Sequence, residues 1–547
     1  MNMTTKTGNQ PARLVFQPDT HHALQRGINW VANAVRPTLG PVARFVAVDP
    51  VSRGNVSPML LDDGAMIARR ILELPDANED MGAMFCRRVL WDQHEQVGDG
   101  TVLTAVLFQS AFNQGLKHIS AGGNAMMLRR HFEKGLCIIK EQLSSMVMPL
   151  AGVEQIASLA ESVSHDAAVA KSLGEIFDVI GPHGLLELRS GYSREVIHEF
   201  VEGTYFKNGL LSKLMMGEGA KSKIQLEDAA LLVSDFEIDD AKQLVATVGQ
   251  AYTSGIKKLV IIAKSLSEQS ASVLIAMSRD PAKFHVIAVK APDELSGQAG
   301  LLEDIALLTG ARLFLNAVGD KLSAVRLEDL GHARRVWANT EYFGIVGTKG
   351  SPVARKQHLT RLELAFDKAD KPEDRQKLRQ RIGILRGGSA TLHIGGVTET
   401  EIKTRKANAE RTVQVLRGAL RKGVLPGGGV ALLACRSVLQ KRSKQAQDLD
   451  EKVAYNILSR MLEEPIRTIL SNAGHEPELV LATLTRSDSN CGFDARTGNI
   501  VDVIDEGIFD SAEVLIEAVT RAILSAALAL TIDVFVHHKK PEVAVNP

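Results

Sequence analysis

Apolar positions recur at helical spacing through both ends of the chain. From His22 to Val35 they fall at Leu24, Ile28, Val31 and Val35, and the run stops at Pro37 and the Gly40-Pro41 turn, which predicts a helix. Thr101–Leu116 and Ala125–Met146 predict two further amphipathic helices within a helical segment spanning about 20–145, and Phe45–Val48 reads as a short strand. The segment from about 422 to 547 is again helical in pattern, with long elements expected over Val453–Leu470 and Ser511–Val536. The middle differs in kind. Leu231–Val233, Leu259–Ile262 and Val286–Val289 are short apolar runs, and between the first two Ala241, Leu244, Val245 and Val248 fall at i, i+3, i+4 and i+7. Such alternation predicts a βαβ layer, and a further strand is expected at Ala390–Ile394 after the Gly387-Gly388 break. Helical flanks around an α/β insert imply a nested, multidomain α and α/β chain, with one domain built from both termini.

Composition narrows the function. The 547 residues hold 64 basic and 64 acidic side chains, a zero balance that argues against nucleic acid, because phosphate affinity needs surplus Lys and Arg. Aromatics are 5%, too few to supply stacking platforms. Cys86, Cys137, Cys435 and Cys491 form no CxxC pair, which excludes a sequence-evident zinc ribbon and fits a reducing cytosol. The first residues carry no apolar run of signal-peptide length, and the stretch Ala522–Ile532 falls short of the roughly 20 residues a membrane span needs. A cytoplasmic protein with no membrane partner is expected.

Five short motifs carry candidate chemistry, each with a plain structural reading beside it. Gly98-Asp99-Gly100-Thr101 opens a helix whose free N–H groups suit phosphate, with an Asp placed for Mg²⁺; it is also an ordinary turn and cap. Thr38-Leu39-Gly40-Pro41 stops a helix, and Pro426-Gly427-Gly428-Gly429 permits close backbone approach to a ligand or serves as a joint. Asp510 with Glu513 has capping-box spacing, and Asp62-Asp63-Gly64 is either a carboxylate pair or a turn.

Their order and intervals, together with Met81-Gly82-Ala83, Lys290-Ala291-Pro292, Asp304-Ile305-Ala306, Leu308-Thr309-Gly310 and Glu476-Pro477, resemble the group I chaperonins, the bacterial GroEL family, over about 20–535. The resemblance implies an equatorial ATP-binding domain at 1–145 and 422–547, an intermediate hinge domain at 146–202 and 389–421, and an apical substrate-binding domain at 203–388. It implies heptameric rings, double in form, a GroES-type co-chaperonin, and ATP-dependent binding and folding of non-native proteins. Thr38, Leu39, Gly40, Pro41, Gly100 and Thr101 would contact the phosphates, Asp99 would hold Mg²⁺, and Gly428, Asp494, Ala495 and Asp510 would surround the nucleoside. Asp63 matches an acidic residue that polarises the attacking water. Capture positions fall on Leu210, Leu214, Met215, Val245, Val248, Ala271 and Ile275, expected as a row of solvent-facing apolar groups. Arg467 and Glu476 match positions used between rings.

The chain departs from the family in its catalytic residues. Asp62 replaces a phosphate-facing lysine; Val102 and Leu103 replace threonines, removing hydroxyls from the phosphate and K⁺ site; and Arg411 replaces the aspartate that activates water, with Glu410 about 100° away on the helix. The two charge changes are reciprocal, so Asp62 and Arg411 are expected to face each other when the intermediate domain closes, Arg411 supplying phosphate charge while Asp62 assists Asp63 with water. The alternative is a hydrolysis-deficient paralogue that holds non-native chains or modulates another chaperonin ring. The C-terminus ends in His-His-Lys-Lys-Pro-Glu-Val-Ala-Val-Asn-Pro instead of the family's Gly-Gly-Met tail.

Overall fold

The computed structural model describes residues 13–537 except 43, 50–57, 192, 202, 217–222, 281–282, 293–297, 370, 387–388 and 485–489. The Gly387-Gly388 break, the start of the chain and the terminal tail lie outside the described residues. The chain divides into two compact units, one of Met1–Gly174 with Ala407–Pro547, the other of Glu175–Lys406 inserted into it. A helical body from both termini with an α/β insert is the nested architecture expected. The segments assigned to a hinge domain divide between the units: the helix Val153–Ser164 goes with the first, and the three-stranded sheet of Leu185–Ser190, Ser389–Ile394 and Ile197–Val201 with the second.

The helical unit is organised around Thr101–Ser120. This helix is apolar nearly all round, as a central element must be, and Phe108 and Phe112 are wholly buried. Helices Asp19–Val35, Ala77–Val97, Leu449–Met461 and Ala512–Ala529 pack on it, and Ala125–Ser145 packs on the last two, with Leu24, Ile28, Phe132, Leu458 and Val519 inside one core. The Met81-Gly82-Ala83 motif has a packing cause. A Cβ on Gly82 would lie 2.7 Å from the Leu24 carbonyl, and one on Gly27 would lie 2.0 Å from the Glu79 carbonyl. Glycine on both sides therefore lets helices Asp19–Val35 and Ala77–Val97 cross backbone to backbone.

Three elements differ from expectation. Val453–Leu470 is two helices, Leu449–Met461 and Glu464–Asn472, because Pro465 in the first turn of the second lacks the N–H that continuation would need. The last helix stops at Ala529, and the alternating Val534 and Val536 instead belong to a strand, Val534–His537, paired antiparallel with Arg13–Phe16. The strand Val46–Val48 pairs with Met59–Leu61, a partner the pattern did not suggest.

In the second unit the expected runs form the parallel half of a mixed sheet. His285–Lys290, Lys258–Ala263 and Ile224–Ser234 lie side by side in parallel, followed by Gly331–Ala338, Tyr342–Thr348 and Thr204–Lys207 in antiparallel order. Helix Ala241–Thr253 makes the crossover between Ile224–Ser234 and Lys258–Ala263, burying Leu244, Val248 and Ala251.

The solvent-facing row of capture residues is corrected. Leu210 (8% exposed), Met215 (8%), Val248 (0%) and Ala271 (7%) are buried, and Ile275 packs half-buried on the core that holds Met215, Val248 and Ala271. Only Leu214 (75%) and Val245 (44%) face solvent. The cause is local. The 3₁₀ turn Lys213–Met216 tucks Met215 inward and turns Leu214 out, while the helices use Val248 and Ala271 to cover the parallel strands.

Candidate functional site

A cavity of about 490 Å³ opens in the helical unit, and turns far apart in sequence converge on it. Thr38 closes the 3₁₀ turn Arg36–Thr38 that ends the first helix, and Gly40 follows with φ 104°. Asn472 holds this turn by donating to the carbonyls of Arg36 (3.0 Å) and Leu39 (2.9 Å). Gly98 (φ 80°) caps the helix Ala77–Val97, and Gly100 (φ 78°) caps Thr101–Ser120, so the three-residue turn between them presents Asp99. Gly428 and Gly429, at φ 63° and 86°, start the helix Val430–Gln445. All these glycine conformations are left-handed, where a side chain would be strained. Thr38, Leu39, Gly40, Pro41, Asp99, Gly100, Thr101, Gly428, Asp494, Ala495 and Asp510 all line the cavity, with Asp62 and Arg411.

Asp510 is not a helix cap. It lies in the strand Phe509–Ser511, paired with Val424–Pro426; Ser511 takes the cap position, and Glu513 pairs with Arg421 (3.3 Å) and Lys422 (3.2 Å). Burial, then the charge of Asp99, pushes the Asp510 carboxyl up to about 7. At Asp494 burial works toward a higher value, but the Arg496 N–H and the Thr497 hydroxyl (2.7 Å) hold the carboxyl below its usual range.

In this structure Arg411 meets Asp63, the carboxylate next to Asp62. Arg411 Nη1 donates to Asp63 Oδ2 (3.2 Å) and Nη2 to the Val163 carbonyl (2.8 Å), with the two paired side chains 12% and 16% exposed. Asp63 Oδ1 accepts from the backbone N–H of Ala65 (2.7 Å) and Met66 (3.4 Å), capping the helix Gly64–Arg70. That cap turns Asp63 toward Arg411 and leaves Asp62 on the cavity wall. Glu410 is exposed. Sequence reasoning missed His165, which ends the helix Val153–Ser164 in a left-handed conformation (φ 54°) and lines the cavity. Burial and then Arg411 hold its imidazole below the usual value, against the pull of Asp62 and Asp99. Its only sequence signal was the polar break Ser164-His165-Asp166 between two apolar helical runs.

The donor set suits Mg²⁺ better than K⁺. Among the described residues the Asp99 carboxylate has no ion-pair partner and lines the cavity, which fits a hard cation held by one carboxylate and phosphate oxygens. The K⁺ position does not fit: after Thr101 come Val102 and Leu103, which bring no oxygen from their side chains. On the helix Glu464–Asn472, whose Pro465 and Ile469 line the cavity, Arg467 is tied within the chain, to Glu463 and to Glu478 (2.7 Å).

The site thus consists of a glycine-walled, acid-lined cavity in the helical body of a chain that also carries an inserted α/β unit. A profile of the TCP-1/cpn60 chaperonin family matches residues 31–540, and the chain belongs to that family. Its function class is that of a chaperonin-like molecular chaperone. In fold it is similar to the chaperonin gp146 from the bacteriophage EL 2 (Pseudomonas aeruginosa), crystallised in the presence of ATP-BeFx. Crystal form I gives a TM-score of 0.68 at 20% identity, covering 96% of this chain and 99% of that one. Crystal form II gives 0.58 at the same identity and coverage.

Proposed function

We propose that the protein is a nucleotide-regulated chaperonin that binds ATP with Mg²⁺ in the helical unit and non-native chains on the α/β unit. The observation that carries this reading is the convergence of three left-handed glycine turns and the Asp99 and Asp510 carboxylates on one cavity. Asp99 would hold the metal, which screens phosphate charge when bound. The N–H groups at the start of helix Thr101–Ser120 would meet the phosphates, and Asp510 the ribose. In this reading the chain keeps the three-domain division, equatorial, intermediate and apical, and acts in the cytoplasm with a GroES-type co-chaperonin. It assembles as a homo-oligomeric ring, supported by the apolar sheet face of Leu14, Phe16, Val534 and Val536 that its own chain leaves exposed.

Turnover is slow in this reading. Asp63, which matches a water-polarising acid, is neutralised by Arg411, which stands where the family has its water-activating aspartate, and losing a general base costs on the order of 10²–10⁴ in rate. The same pair favours the second reading, a ring that holds non-native chains without productive hydrolysis. Calorimetric ATP binding and steady-state phosphate release, on the wild type and Arg411→Asp, test both. The expectation is ATP binding with weak phosphate release, raised on the order of 10²-fold by Arg411→Asp. No release from either protein, or no ATP binding, would remove the ATP-driven reading and leave the holder reading standing.

A further inference from the structure

One buried amide meets two carbonyls beneath the Asp99 turn. Gln93, on helix Ala77–Val97, is 0% exposed and directs Nε2 at the carbonyl oxygens of Asp99 (3.0 Å) and Val514 (3.4 Å). Both partners only accept, so the nitrogen must face them and the amide cannot be turned over. Its Oε1 is then left buried without a donor, which works against folding. Packing alone would favour an apolar side chain here.

What the amide does accomplish is a brace. It ties the turn carrying Asp99 to the helix Ala512–Ala529, which closely follows Asp510. The turn is enclosed from the same side, since a Cβ on Gly100 would come within 2.6 Å of Val514 Cγ1 and 3.1 Å of Gln93 Nε2. Gly98 is closed in likewise by the Gln414 side chain at 2.9 Å. The Asp99 backbone is therefore held, while its carboxylate lines the cavity with no ion-pair partner among the described residues.

We propose that Gln93 is a positioning residue, fixing the Asp99 carbonyl so that the Asp99 carboxylate stays aimed into the cavity for a metal-bound nucleotide. This rests on the reading that the cavity takes a nucleotide with Mg²⁺. Partners that orient a metal ligand typically change metal affinity about 10–100-fold when removed. The test is ADP binding by calorimetry, with Mg²⁺ and with a chelator, together with the thermal midpoint, for the wild type, Gln93→Leu and Gln93→Met.

Both variants remove the donor and also the orphaned oxygen. The expected result is a loss of about tenfold or more in ADP affinity with Mg²⁺, metal-free affinity within about twofold, and a nearly unchanged midpoint. Unchanged affinity with Mg²⁺, or equal losses with and without it, would overturn the assignment, as would unfolding of both variants. A wild type that binds no ADP in either condition would instead sink the nucleotide reading on which the proposal rests.

Discussion

At Asp510 a single carboxyl feels both its burial and the charge of Asp99. Its value near 7, against an ordinary 3.8, means that the folded state favours the neutral form. The sign follows from linkage. The contribution to stability is complete below the ordinary value and is lost as pH rises through about 7. Nucleotide-free and metal-free protein should therefore lose stability relative to Asp510→Asn as pH rises from about 4 to about 7, by at most about 4 kcal/mol, with no further loss above that. Urea midpoints of the two proteins that run parallel across that range would refute the coupling. Single residues also explain why one expectation from the sequence was misdirected. Reciprocal charges at 62 and 411 pointed to a pair, but the N-cap at Gly64–Arg70 presents Asp63 instead, one residue on. Residue types were legible; which of two adjacent carboxylates faces Arg411 depends on a backbone dihedral.

Among elements, the crossing of Asp19–Val35 and Ala77–Val97 is the sharpest case. Gly27→Ala should cost about 2–3 kcal/mol by forcing the helices apart, because its Cβ meets backbone that cannot rotate away. Gly249 is the control: it lies in helix Ala241–Thr253, and a Cβ there would meet nothing within 4 Å. Gly249→Ala should be neutral or stabilise by about 0.5–1 kcal/mol. Chemical denaturation of both variants separates them, and equal effects would contradict the packing account. Periodicity located helices Asp19–Val35, Thr101–Ser120, Ala125–Ser145 and Ala241–Thr253 because a buried stripe leaves a local trace. It failed over Val453–Leu470 and Ser511–Val536, where apolar residues continue through a break. A proline at a first turn, and a switch from helical to alternating spacing, were the signals present.

For the molecule as a whole, the strand pair at the two ends of the described chain bears most directly on assembly. Leu14 lies opposite Val536 and Phe16 opposite Val534, so four apolar side chains share one face, exposed by 51%, 48%, 58% and 37% in that order. For the ring assembly proposed above, Phe16→Asp combined with Val536→Asp should shift native mass from rings toward monomers while circular dichroism stays unchanged; intact rings in the double variant would exclude this face from assembly.

By itself the sequence determined the nested helical and α/β architecture, the order of the glycine turns and acids, and membership of a chaperonin family, since these are written in local spacing and residue type. Tertiary structure alone decided which groups meet. It paired Arg411 with Asp63, raised Asp510 toward neutrality beside Asp99, and brought His165 and the Gln93 brace to the site. It also buried most of the expected capture row, leaving Leu214 and Val245 in solvent. The reason is physical: periodicity records that a face is apolar, whereas burial, charge and hydrogen bonding depend on what distant segments pack against that face.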